Sequence, residues 1–144
     1  MINKLPLPKL LLELTERGAW LHPGDEVLRN AFPLLTKPLD FATSVNGSPI
    51  LAGLGWPVDS RDWSSLRVYF EGEERPLPCL DARRAVFLAV NRFPGDDVAI
   101  ALDFRGGLDR PCVVASRWLE SGSEWFLIAE DFESFWRRLG SSRD

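Results

Sequence analysis

At 144 residues, the chain suits one domain that buries roughly two-thirds of the surface its unfolded form exposes. Its composition, 45% hydrophobic and 26% charged, excludes a largely disordered protein. A net charge of −4 argues against general nucleic-acid binding, which draws on Lys and Arg against phosphates, and leaves a basic protein surface open as a partner.

The first element in chain order is a short helix. Pro8 suits a helix start, Leu7, Leu10, Leu11 and Leu14 recur at helical spacing, and Gly18 is a natural stop. His22-Pro23-Gly24 then reads as a turn. A second helix is predicted over about 25–31, with Val27, Leu28 and Ala31 inward and Pro33 ending it. From 36 to 65 the pattern breaks down, because Pro38, Gly47, Pro49, Gly53, Gly55 and Pro57 punctuate short apolar pieces. Such a stretch is long for a loop in a compact domain. It is expected to hold a short strand or helical turn at an unassigned position, pinned to the core by Trp56 and Trp63.

Strand signals dominate the second half. Leu66, Val68 and Phe70 alternate with Arg67, Tyr69 and Glu71, as in a half-buried strand. Residues 72–84 read as a charged linker with two prolines. The run Ala85-Val86-Phe87-Leu88-Ala89-Val90 is apolar throughout, which predicts a central strand covered on both faces. After a turn at Pro94-Gly95-Asp96-Asp97, Val98, Ile100, Leu102 and Phe104 share one strand face, and Ala99, Ala101 and Asp103 share the other. That small-residue face would let a helix or loop approach the sheet closely. A loop over 105–111, a strand over 112–118, a hairpin at Gly122 and a strand over 125–128 complete an antiparallel meander. The closing helix has Asp131 as N-cap, Glu133 at the positive end of the helix dipole, and Arg137 and Arg138 in the last turn. Phe132, Phe135, Trp136 and Leu139 form its apolar stripe, Gly140 is expected to stop it, and residues 141–144 to fray. Helices first, then strands, then one helix is an α+β order: a mainly antiparallel central sheet with N-terminal helices and one C-terminal helix packed on it, in a single domain over 1–144.

Several chemistries fit this sequence poorly. The sole histidine, His22, sits in a turn and suits a surface or capping role. A zinc site needs about four ligands at characteristic spacing, and one His with two unclustered cysteines does not supply them. Cys79 and Cys112 form no CxxC pair, so reduced, partly buried thiols are expected, with a disulfide as the alternative. Gly53-Leu54-Gly55 and Gly106-Gly107 lack the following Lys-Ser/Thr and the strand-to-helix setting of a phosphate loop. Asp97 and Asp103 lie on one side of a strand, but six extended residues separate them by roughly 20 Å, too far for a cooperating pair unless the chain bends sharply at the turn. Asp96 and Asp97 are read as shaping the turn, and Asp103 as bonding a loop or an arginine. No cofactor and no metal are expected. Residues 1–6 have no apolar core before a cleavage site, and no window approaches 18 consecutive apolar residues. The expectation is a cytoplasmic chain, neither exported nor membrane-spanning.

Binding is the better-supported class. Trp56 and Trp63 lie in the irregular segment, where exposed tryptophans would serve as anchors for a partner. Glu71, Glu73 and Glu74, beside Arg75, form an acidic run. Its bland reading is a solvated loop, and its functional reading is an electrostatic docking surface.

The second half also carries a resemblance. Val90-Asn91-Arg92-Phe93-Pro94-Gly95-Asp96-Asp97, continuing through Ala101-Leu102-Asp103-Phe104-Arg105, resembles the SUKH superfamily, which includes Smi/Knr-type cell-wall-assembly regulators and many bacterial proteins. So do Pro111-Cys112-Val113-Val114-Ala115-Ser116 and Ile128-Ala129-Glu130-Asp131-Phe132-Glu133-Ser134-Phe135. Leu5-Pro6-Leu7-Pro8, the leucine-rich helix and Gly18-Ala19-Trp20 are similar to one bacterial branch. The match spans 85–139 and, more loosely, 5–35, while 36–84 carries no matching motif. The resemblance implies an α+β fold with a mainly antiparallel sheet flanked by helices, and a non-enzymatic protein-binding role. Many bacterial members look like immunity proteins that neutralise a cognate toxin, often a nuclease or deaminase, inside the producing cell. It supplies no catalytic residues. The expected partner is thus a protein, such as a basic toxin domain. The rivals are a regulatory scaffold on a housekeeping protein and, in another class, a small-ligand enzyme using Asp97 and Asp103.

Overall fold

The computed structural model describes residues 6–41, 69–70, 80–81, 85–93, 98–119 and 122–141. Helix α1, Lys9–Glu16, buries Leu11 and Leu14. It ends because Gly18 adopts φ +67°, which lets the Gly18 N–H reach the Thr15 carbonyl at 3.2 Å and the Ala19 N–H reach that of Leu14 at 2.8 Å. This is a Schellman cap, and it satisfies carbonyls that the last helical turn would leave bare. Helix α2, Asp25–Ala31, buries Leu28 and Ala31 and places Asp25 and Glu26 in its first turn, where the helix dipole favours acids.

Five strands form an antiparallel sheet: β1 (Leu39–Phe41), β4 (Ala85–Asn91), β5 (Ala99–Asp103), β6 (Cys112–Leu119) and β7 (Gly122–Ala129), in the order β1-β4-β5-β6-β7. The last four are the expected meander, while β1, from far earlier in the chain, adds itself to the outer side of β4. A separate two-stranded parallel sheet joins β2 (Tyr69–Phe70) to β3 (Leu80–Asp81). Strand β3 corrects the reading of 72–84 as linker throughout; a two-residue strand is too short to show alternation. The rest of the strand expected around Leu66 lies outside the described residues. Helix α3, Phe132–Ser141, runs through Gly140, which therefore does not stop it.

All three helices pack on one face of the sheet, so the fold is α+β. Leu11, Leu28, Phe32, Ile100, Phe132 and Phe135 belong to one buried core, and α3 touches α1, α2, β6 and β7. Two irregularities feed that core. Leu88 has no partner in the β4–β5 ladder and Ile128 has none between β6 and β7; both are β-bulge positions, and both side chains join the helix-facing core.

The opposite face is buried too, as the apolar run in β4 predicts: every residue of 85–90 is buried. Phe87 on β4 and Trp125 on β7 stack there with centroids 6.1 Å apart and planes 4° apart. Two strands lie between theirs, so their backbones are roughly 14 Å apart. The rings meet because β5 presents only Ala99 and Ala101 beneath them. Ser116, fully buried on β6, accepts the Ala99 N–H at 3.0 Å, so its hydroxyl oxygen has a backbone donor.

Candidate functional site

The polar side chains near the sheet ends hold elements together. Arg92, just past β4, donates to both carboxylate oxygens of Asp25 at 2.8 and 3.0 Å, to Asp40 at 2.8 Å and to the Leu39 carbonyl at 3.2 Å. One guanidinium thus ties the start of α2 and the edge strand β1 to the end of β4. The Arg92 hydrogen bonds hold the Asp25 carboxyl below the usual carboxylate range. His22 holds the turn before α2 rather than capping the helix: its Nδ1 accepts the Gly24 N–H at 2.9 Å, and α2 has no side-chain cap. Its Nε2 is buried 3.5 Å from Asp25, and its ring lies against Phe41.

Asp103 is 6% exposed. Arg105 grips it from two residues away, donating through Nε at 3.0 Å, Nη2 at 2.9 Å and its backbone N–H at 3.1 Å. This is the loop-and-arginine arrangement expected for that residue. The neighbouring Cys112 thiol is unpaired, lies 3.9 Å from the Asp103 carbonyl, and is pushed up in pKa by burial and then by the Asp103 charge. Asp131 accepts the Ser134 N–H at 2.7 Å, capping α3, and receives Arg110 at 2.6 and 2.9 Å.

A different arrangement occurs where the first and last helices meet. Lys9, Leu10 and Glu13 of α1 face Glu133, Trp136 and Arg137 of α3 across an open groove of about 520 Å³. Its floor is apolar and held in place: Trp136 packs on Trp20 with centroids 5.6 Å apart and on Phe132 at 6.5 Å. Its rim is charged and exposed, with Lys9 and Glu13 one turn apart on one wall and Glu133 and Arg137 one turn apart on the other. Among the described residues, Lys9, Glu13 and Glu133 form no ion pair, whereas Arg137 is engaged.

The sequence-predicted binding residues Trp56, Trp63, Glu71, Glu73 and Glu74 lie outside the described residues, as do Asp97 and Cys79. The groove residues were not singled out from the sequence. Their signal was present as charges flanking two apolar stripes, but nothing local reveals that the two helices are neighbours. Among the described residues no group of three or more His, Cys, Asp or Glu side chains is placed to hold a metal ion, and no helix is long and apolar enough to cross a membrane. Comparison with family profiles, with curated proteins and with solved structures returned no match.

Proposed function

We propose that this chain is a non-enzymatic, intracellular protein-binding module of the SUKH type, most concretely an immunity-type protein that neutralises a cognate bacterial toxin. The observation that carries the reading is the state of Asp103. The acid that a small-ligand enzyme would need is buried and held by Arg105 through side chain and backbone. Asp131 is likewise committed to structure, since it caps a helix and receives Arg110. The antiparallel sheet with helices on one face matches what the resemblance implies, and the open, charge-rimmed groove around Trp136 gives a surface suited to contact rather than chemistry. A net charge of −4 suits a basic toxin domain, whose association would be fast at low salt and slow at high salt.

The test is co-expression with the toxin encoded beside the gene, with affinity capture at low and high salt. Toxin activity should be suppressed and the complex should weaken as salt rises. A toxin neither captured nor neutralised would end the immunity reading, and stable capture of a housekeeping protein instead would favour a regulatory scaffold.

A further inference from the structure

The geometry points to a second binding site, independent of the protein-binding reading: the pocket between α2 and β1 takes a small organic monocarboxylate, of the size of hexanoate or benzoate. The pocket is bounded by α2, the connection over 32–38 and the start of β1, and holds about 210 Å³. An engineered apolar cavity of about 150 Å³ binds benzene, so there is room here for six carbons and a carboxylate besides. The floor is apolar. Leu28, Leu35 and Leu39 line it, and each is no more than 3% exposed, so they present a packed surface that seats a hydrocarbon and offers phosphate nothing. The charges beside that floor are unbalanced. Arg29 and Lys37 line the pocket as exposed cations. Asp25 is the acid among the lining residues, and it is already committed, because Arg92 donates to both of its oxygens at 2.8 and 3.0 Å. Arg29, one turn along α2 from Asp25, is thus left without a carboxylate partner, and among the described residues neither it nor Lys37 forms an ion pair or hydrogen bond. Glu26, on the same helix, does not line the pocket. Even with the Arg92 cluster included, three cations, Arg29, Lys37 and Arg92, stand against two acids, Asp25 and Asp40. A carboxylate head meets two unengaged donors there, one of them a guanidinium fork that matches its two oxygens, while its tail lies on the leucines, the combination of apolar lining and few polar groups typical of small-molecule sites.

The probes are hexanoate, hexan-1-ol and inorganic phosphate, each titrated into the full chain and followed by NMR at the methyls of Leu28, Leu35 and Leu39. Hexanoate should shift those signals saturably, with a Kd on the order of 1 mM for a ligand of its size. It should bind roughly tenfold more tightly than hexan-1-ol, which keeps the tail and removes the charge. Phosphate keeps the charge and lacks the tail, and should leave the three leucines unmoved. The double variant Arg29→Gln, Lys37→Gln changes exposed, unpaired side chains and should melt as wild type does, yet bind hexanoate no better than the alcohol. Lys37→Gln alone, at a position outside every helix and strand, should lose part of the preference, which keeps the test decisive if the double variant unfolds. Equal binding of hexanoate and hexan-1-ol, shifts confined to another surface, no saturation at about 50 mM, or an unchanged preference in both variants would each overturn the assignment. A peptide with a free C-terminal leucine that moved the same methyls and bound more than roughly tenfold more tightly than hexanoate would overturn it too, in favour of a protein terminus as the occupant.

Discussion

Asp131 serves two partners with one carboxylate. One oxygen caps α3 through the Ser134 N–H and the other receives Arg110. The backbone hydrogen bond first, and the Arg110 contact second, hold its pKa at about 2. Because that value is depressed relative to the unfolded chain, the carboxylate's contribution is complete above about pH 4 and is lost as pH falls toward 2. Asp131→Ala should therefore lower stability by about 1–2 kcal/mol at neutral pH, measured by urea denaturation. Asp131→Asn should retain much of the cap while flattening the dependence of stability on pH between about 2 and 4. An alanine variant as stable as wild type would show that α3 is held by its packing alone.

Arg92 works at the level of elements, since it follows β4 directly and its contacts belong to α2 and β1. Replacing it with methionine keeps the stem and removes the fork. Amide exchange should then quicken in 25–31 and 39–41 while β5 and β6 keep their protection, and uniform acceleration across the sheet would mean that Arg92 supports the whole fold instead. Such linkages mark the boundary of what single-chain patterns reveal. The two early helices, the meander and α3 were legible because each carries its own periodicity, cap or alternation; the stripe of Phe132, Phe135 and Leu139 is a case in point. Strand β1 was not, because Leu39-Asp40-Phe41 offers three residues of pattern and gains its identity only from pairing with Asn91, Val90 and Ala89. The reach of Phe87 to Trp125 was not legible: Ala99 and Ala101 were read as room for a helix or loop, whereas two rings of the sheet itself use the space.

For the molecule as a whole, α3 is the piece on which the other layers converge. It fills the helix-facing core with Phe132, Phe135 and Leu139 and forms one wall of the groove with the neighbouring flank. That dual use explains why the groove was illegible in the sequence: Glu133 and Arg137 look like ordinary solvated positions until α1 is set beside them. The two bulges extend this economy to the sheet, and they change how the chain should respond to insertions and deletions. In most strands, losing one residue turns every following side chain to the wrong face. Leu88, however, already lies outside the β4–β5 pairing, so its removal leaves Phe87↔Ala101 and Ala89↔Ile100 both possible and restores strict alternation through Val90. A chain lacking Leu88 should fold with a penalty of about 2–5 kcal/mol, the cost of an emptied leucine site, whereas one lacking Ala101 should not fold. A circular-dichroism melt of the two deletions decides it, and equal collapse would show that the kink itself is indispensable. If the contrast holds, length variation in this protein is tolerated at a fully buried position in the middle of its sheet, where loops would ordinarily be its only refuge.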